Sequence, residues 1–178
     1  EVVRHAVGLP GWTVMALVPN LRGAEAALAA GAHKLTLPVS ASEAHSLANV
    51  RKTPLAMVEQ VRTIAALRQA QAPGVGLEVG ISTAFGCTLQ GVVPEDDVVR
   101  LAVACAEAGA DEVGLSDTVG YANPAQVRRL FRRLRAELGD KAGAAHMHNT
   151  RGLGLANCLA AWEEGTSTFD ASQGGLGG

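Results

Sequence analysis

Two histidines separated by one residue, His146-Met147-His148, follow the small apolar run Ala142-Gly143-Ala144-Ala145. The run predicts a buried strand that delivers both imidazoles at its C-terminal tip. On a strand, residues i and i+2 share a face, with Cα atoms roughly 6.6 Å apart. Two rings at that spacing can converge on one divalent cation, each about 2.1 Å from it. The competing reading is a pair of strand-end histidines satisfied by backbone carbonyls. Asp117 lies one predicted strand away and is a candidate for proton transfer or substrate orientation; in Ser116-Asp117-Thr118 it also reads as a turn acceptor. Asn20 could hold polar groups of a substrate, although Pro19-Asn20 after a strand is also ordinary turn chemistry. Ser82 and Thr118 are further candidate pocket residues, Ser82 the weaker because an exposed loop hydroxyl is commonplace. Asn149 is not read as a ligand. Asp170 reads as a loop anchor with a site role open, and His5, His33 and His45 read as surface residues.

These residues need a frame. Apolar segments at 13–18, 34–39, 76–82 and 112–116, the histidine segment and 167–172 predict six strands. Between them lie helical patterns: 25–30 stopped by Gly31, a helix capped by Thr53 and opened by Pro54 that runs to about Gln71, and one opened by Pro94 with Glu95, Asp96 and Asp97 at its positive end. Asn123-Pro124 opens another, and 155–164, stopped by Gly165, is the last. Strands alternating with single helices imply parallel βαβ units with right-handed crossovers. The polar residues recur just past each strand, as expected of a (β/α)8 barrel, whose active site is built from those loops. An open doubly wound sheet would place ligands there too, but no G-x-G-x-x-G or P-loop pattern follows any strand. The expected fold is therefore α/β, a partial (β/α)8 TIM barrel in one domain over residues 1–178. A complete barrel takes about 250 residues, so the first two strands and the C-terminal region are expected to be missing. The opening residues read as loop, and the glycines of 174–178 read as a mobile lid or a flexible tail.

Bulk properties narrow the function classes. With 178 residues, 48% of them hydrophobic, the chain can bury a sizeable core. A net charge of −2 gives no electrostatic case for nucleic acid or anionic membrane. Arg128, Arg129, Arg132, Arg133 and Arg135 alternate with Val127, Leu130, Phe131 and Leu134, which reads as a solvated helix face. No apolar run reaches the ~20 residues of a membrane span and no signal peptide opens the sequence, so a cytoplasmic location is expected. Three cysteines without a C-x-x-C pair argue against a disulfide framework. Cys105 and Cys158 read as small core residues and Cys87 as a loop residue. Aromatics, at 3%, leave few candidates for stacking on nucleotide bases.

Three segments in order carry a resemblance: Ser116-Asp117-Thr118-Val119-Gly120 with Asn123-Pro124; His146-Met147-His148-Asn149-Thr150-Arg151-Gly152; and Phe169-Asp170-Ala171-Ser172 running into Gly174-Gly175-Leu176-Gly177-Gly178. With Val18-Pro19-Asn20 and 82–87, they resemble the hydroxymethylglutaryl-CoA lyase family, within the metal-dependent lyase and Claisen-condensing barrels of pyruvate carboxyltransferase-like fold. The resemblance implies cleavage of 3-hydroxy-3-methylglutaryl-CoA, or a related 3-hydroxyacyl-CoA, to acetyl-CoA and acetoacetate. It implies a divalent cation, Mg2+ or Mn2+, with His146 and His148 as ligands, an acyl-CoA substrate and a homodimer. The family's first-strand Arg-Asp-Gly motif is not in this sequence, and its catalytic cysteine would directly follow Gly178, so this piece is expected to lack groups needed for efficient turnover. The alternatives are a condensing enzyme of the isopropylmalate or citramalate synthase kind, and a non-catalytic barrel segment with vestigial histidines.

Overall fold

The computed structural model describes residues 1–175. Five parallel strands lie in sequential order: β1 (Met15–Leu17), β2 (Lys34–Ser40), β3 (Gly76–Ser82), β4 (Glu112–Asp117) and β5 (Ala142–Met147). Helices α1 (Val2–Val7), α2 (Leu21–Ala29), α3 (Glu43–Val50), α4 (Pro54–Gln71), α5 (Glu95–Glu107), α6 (Pro124–Leu138) and α7 (Gly154–Glu163) precede or connect them. Each strand pairs with the next in the chain, which is the winding of a (β/α)8 barrel and not of a doubly wound sheet, whose order reverses.

Alternation divides each strand between two environments. In β2, Leu35, Leu37 and Val39 are fully buried on the helix side while Lys34, Thr36 and Pro38 face the other way. Leu77, Val79 and Ile81 of β3 and Leu115 of β4 continue the buried layer, which joins Met57, Ile64, Leu130 and Phe131 from the helices in one core. Thr53 caps α4 by accepting from Ala56 N at 3.2 Å, and Asn123 caps α6 by accepting from Gln126 N at 3.0 Å. The arginines of α6 do face outward, and they are paired: Arg129 with Glu95, Arg133 with Asp96, Arg128 with Glu163 and Arg132 with Glu164. They latch α6 to α5 and to the end of α7.

Two expectations change and one helix was not foreseen. The sixth strand is reduced to a single parallel bridge between Ala145 and Phe169, held by Ala145 N to Thr168 O at 3.0 Å and Asp170 N to Ala145 O at 3.1 Å. Among the described residues the segment has one hydrogen-bonding neighbour, and its side chains are mostly polar, so little there holds a longer ladder. The opening residues form α1 instead of a loop. Residues 43–50 form α3, started by Ser42 accepting from His45 N and ended by Arg51 in the left-handed region at φ 57°. Among the described residues no helix is long and apolar enough to cross a membrane.

Candidate active site

The inward faces of the strands meet around a cavity of about 490 Å³ that runs from Met15 and Glu78 up to the C-terminal ends of β3, β4 and β5. Its upper wall comes from register. Ser116 is the Cα partner of His146, and Ser82 follows Ile81, which pairs with Leu115. Ser82, Ser116 and His146 therefore stand side by side. His148 is the residue after β5 and lines the cavity with Thr118, Phe169 and Asp170.

The two imidazoles converge. Their ring centroids are 4.9 Å apart and tilted by 40°, with His146 Nε2 2.9 Å from His148 Nε2. On its far side, His146 Nδ1 lies 2.8 Å from Asp170 Oδ2. A carboxylate only accepts, so the Nδ1 proton is donated to Asp170, and in the neutral ring the Nε2 lone pair is turned towards His148. The hydrogen bond donated to Asp170, with the charge of that carboxylate, holds the pKa of the His146 imidazole above its ordinary value against the opposing effect of burial.

This pair fits a divalent cation. Two nitrogens each about 2.1 Å from one ion, at a right angle, stand about 3.0 Å apart, close to the separation observed. A carboxylate on the outer nitrogen is the usual support of a metal-bound imidazole. Among the described residues no group of three or more His, Cys, Asp or Glu surrounds one point. His146 and His148 thus offer two positions, and the remaining ones fall to oxygen donors, which suits a hard ion with open sites.

Asp117 stands elsewhere than expected. Alternation turns it to the face opposite Ser116, and it is 1% exposed and absent from the cavity wall. Its carboxylate accepts from Tyr121 N at 2.9 Å and Ala122 N at 3.2 Å, the turn-acceptor reading. Burial raises its pKa even though the amides of Ala122 and Tyr121, and then the charge of His148, act to lower it. Through these amides the carboxyl fixes the loop after β4. Asn20 is likewise a helix cap, accepting from Gly23 N at 2.9 Å at the start of α2, and lies outside the cavity wall. Ser82 and Thr118 do line the cavity, and Thr118 Oγ1 accepts from Thr83 N at 2.7 Å, tying the loops after β3 and β4 together. His33 and His45 are used locally, His33 Nδ1 accepting from Val14 N and His45 Nδ1 meeting Ser40 Oγ. None of Cys87, Cys105 and Cys158 lines the cavity. The glycine run is described only to Gly175, after a short 3-10 turn over Gln173–Gly175; the lid expected there lies largely outside the described residues.

Sequence reasoning missed Ser116, Glu78 and the part played by Asp170. The first two follow from counting inward positions by twos down each strand. The link between Asp170 and His146 spans 24 residues and leaves no periodic trace.

The HMGL-like family model matches residues 1–178. A hydroxymethylglutaryl-CoA lyase of Bacillus subtilis is 41% identical, covering 94% of this chain and 56% of its own length. An (R)-citramalyl-CoA lyase of Chloroflexus aurantiacus is 40% identical, covering 92% and 51%. A solved HMG-CoA lyase of Acinetobacter baumannii, in complex with coenzyme A and 3-methylmalate, superposes with a TM-score of 0.92 at 37% identity over 100% of this chain and 57% of that one. The carboxyl transferase domain of Rhizobium etli pyruvate carboxylase, at 20% identity and a TM-score of 0.69, shares the fold. The chain spans 51–58% of the length of the first curated relatives it matches. On these matches and on the parallel sheet they share, the chain belongs to the HMGL-like family.

Proposed function

We propose that the protein is a carbon–carbon lyase that cleaves 3-hydroxy-3-methylglutaryl-CoA to acetyl-CoA and acetoacetate. The observation that carries this reading is the imidazole pair at the tip of β5, oriented by Asp170 and opening on a cavity ringed with hydroxyls. In the reaction the tertiary hydroxyl loses its proton, its oxygen forms a carbonyl, the adjacent carbon–carbon bond breaks, and the electron pair moves onto the thioester enolate, which is then protonated.

The residues divide the work. His146 and His148 would hold Mg2+ or Mn2+, with Asp170 keeping His146 in the ligating tautomer. When bound, that ion supplies Lewis acidity and lowers the pKa of a hydroxyl oxygen it contacts. Ser82, Ser116 and Thr118 present hydroxyls to the carboxylate and thioester of an acyl-CoA. Asp117 acts as a positioning residue, through the loop it ties down and through its charge beside His148. Asn20 serves by capping α2, so the substrate contact expected of it passes to the cavity residues.

Relatives differ in the acyl chain they are named for, including the citramalyl-CoA lyase and a 3-hydroxy-3-isohexenylglutaryl-CoA/hydroxymethylglutaryl-CoA lyase of Pseudomonas aeruginosa at 38% identity. The substrate class assigned is accordingly a 3-hydroxyacyl-CoA, with the hydroxymethylglutaryl thioester first. Three free cysteines accord with a reducing compartment, and a cytoplasmic homodimer completes the reading.

The test is to incubate the full-length protein with 3-hydroxy-3-methylglutaryl-CoA and Mg2+ or Mn2+, following acetoacetate, and separately with acetyl-CoA plus an α-keto acid. Acetoacetate in the first mixture alone is the expected result. Condensation in the second, without cleavage in the first, replaces the lyase with a synthase; silence in both favours a barrel with vestigial histidines.

A further inference from the structure

In complete barrels of this kind, layers of bulky branched side chains fill the interior. Here the layer directly beneath Ser82, Ser116 and His146 consists of Pro38, Gly80 and Gly114, side by side by register across β2 to β4, and Ala144, brought against Gly114 where the β4–β5 pairing is irregular. The two glycines have different reasons for being there. A Cβ on Gly114 would stand 2.4 Å from Ala144 O, so the close approach of β5 excludes any side chain. A Cβ on Gly80 would meet nothing nearer than Ser116 Oγ at 3.7 Å, and the backbone there is regular strand. The fold does not require glycine at 80, and glycine inside a strand weakens it. Such a residue marks a place where a ligand comes close.

We infer that Gly80 opens a subsite beneath the histidines for an aliphatic branch, longer than methyl, on the hydroxyl-bearing carbon of the acyl group. This inference rests on the lyase reading and deepens it by naming the substrate's branch. One missing layer gives a depth of about 6.6 Å, two residues along a strand, enough for a chain of about four carbons. The walls suit such a chain: Leu17, Pro38, Ala144 and Phe169 are apolar. Beneath that layer stands Glu78, whose carboxylate is held in an ion pair with Lys34 Nζ at 2.7 Å. A branch ending in an alkyl group therefore meets a covered charge and not a bare one.

The experiment uses the full-length protein and CoA thioesters of 3-methyl-, 3-ethyl- and 3-butylglutaric acid, which lack the hydroxyl and cannot be cleaved, with binding measured by calorimetry. Wild type should bind about four-fold more tightly per added methylene from methyl to butyl. Gly80→Val should abolish that gain, so that butyl binds no better than methyl, and Gly80→Ala should fall between. Valine is a good strand former, so circular dichroism should show the Gly80→Val variant folded and melting no lower than wild type; if it does not fold, the slope in Gly80→Ala decides. Affinity that is flat or falls with branch length in wild type, or a slope that survives at Gly80→Val, overturns the subsite while leaving the lyase in place. Failure to bind even the methyl thioester overturns the lyase reading and the subsite together.

Discussion

Asp170 and Asn20 show how differently two polar residues past strand ends can be employed. Asp170 touches the imidazole that the proposed chemistry needs, and its loss leaves His146 free to take the other tautomer. Asp170→Asn should weaken Mn2+ binding about 10–100-fold, the usual cost of removing the group behind a metal-bound histidine; titration calorimetry on the full-length protein checks this, and an unchanged affinity would show that the 2.8 Å contact does not orient a ligand. Asn20→Ala should instead lower unfolding free energy by about 1 kcal/mol through loss of the cap on α2, with acyl-CoA affinity unchanged. Urea denaturation and thioester binding, measured on the same variant, separate the two roles. Among the cysteines, burial pushes the Cys105 thiol up to about 12, so it should stay unlabelled by a thiol reagent at neutral pH until the protein is unfolded.

At the scale of elements, the strands hold a second set of charges at the end remote from the histidines. Lys34 at the start of β2 meets Glu78 of β3 and Glu112 of β4, each at 2.7 Å, and Glu78 is only 6% exposed. Burial opposes the charge on Lys34, but hydrogen bonds and then charges from the two glutamates outweigh it and hold the ammonium above its ordinary 10.5. The sign follows: this cluster's stabilisation is whole below the unfolded value and is lost as pH rises through the higher folded one. Wild type should therefore lose part of its advantage over Lys34→Met as pH rises past 10.5 in urea melts. At neutral pH the variant should be less stable by about 2–3 kcal/mol, less than a fully buried pair because the Lys34 side chain is 22% exposed. Equal stabilities at neutral pH would mean that water already screens Glu78. Elements such as these were legible where local chemistry is strong. Thr53-Pro54 and Asn123-Pro124 open α4 and α6 where their caps say, and the run 76–82 is β3 to the residue. Helix α3 escaped notice because only Ser46 of its eight residues is buried, so it has no apolar stripe to read. The placing of Asp117 needed a register: once Ser116 is set beside His146, alternation turns the carboxylate away from the cavity wall. Spacing within one strand brought the two histidines together, whereas the contacts that turn their nitrogens depend on Asp170, held by a bridge to another segment.

For the whole molecule, the five strands are not equally secured. Among the described residues, β3 and β4 have a paired strand on each side and buried helix-facing side chains throughout, whereas β1 is three residues long, pairs there with β2 alone and leaves Leu17 68% exposed. The segment beyond α7 is held to β5 by two backbone hydrogen bonds at Ala145. Local opening free energy tracks buried apolar contact and backbone pairing, so amide exchange should be graded across the sheet. In the 178-residue chain by itself, the amides of 77–81 and 113–115 should exchange only through global unfolding, those of 15–18 and of Asp170 many times faster. The same gradient bears on the site, because the cation proposed for His146 and His148 would couple β5 to Asp170 through the imidazole between them. Saturating Mn2+ should therefore slow exchange at Asp170 and in 145–147 by more than it slows β1, since a ligand stabilises most the opening that destroys its own site. Exchange followed by mass spectrometry with and without Mn2+ reads both effects. Uniform protection from β1 to β5 would show one cooperative unit with no weak margin, and a metal effect spread evenly over the sheet would show that Asp170 and His146 are not the joint through which binding is felt.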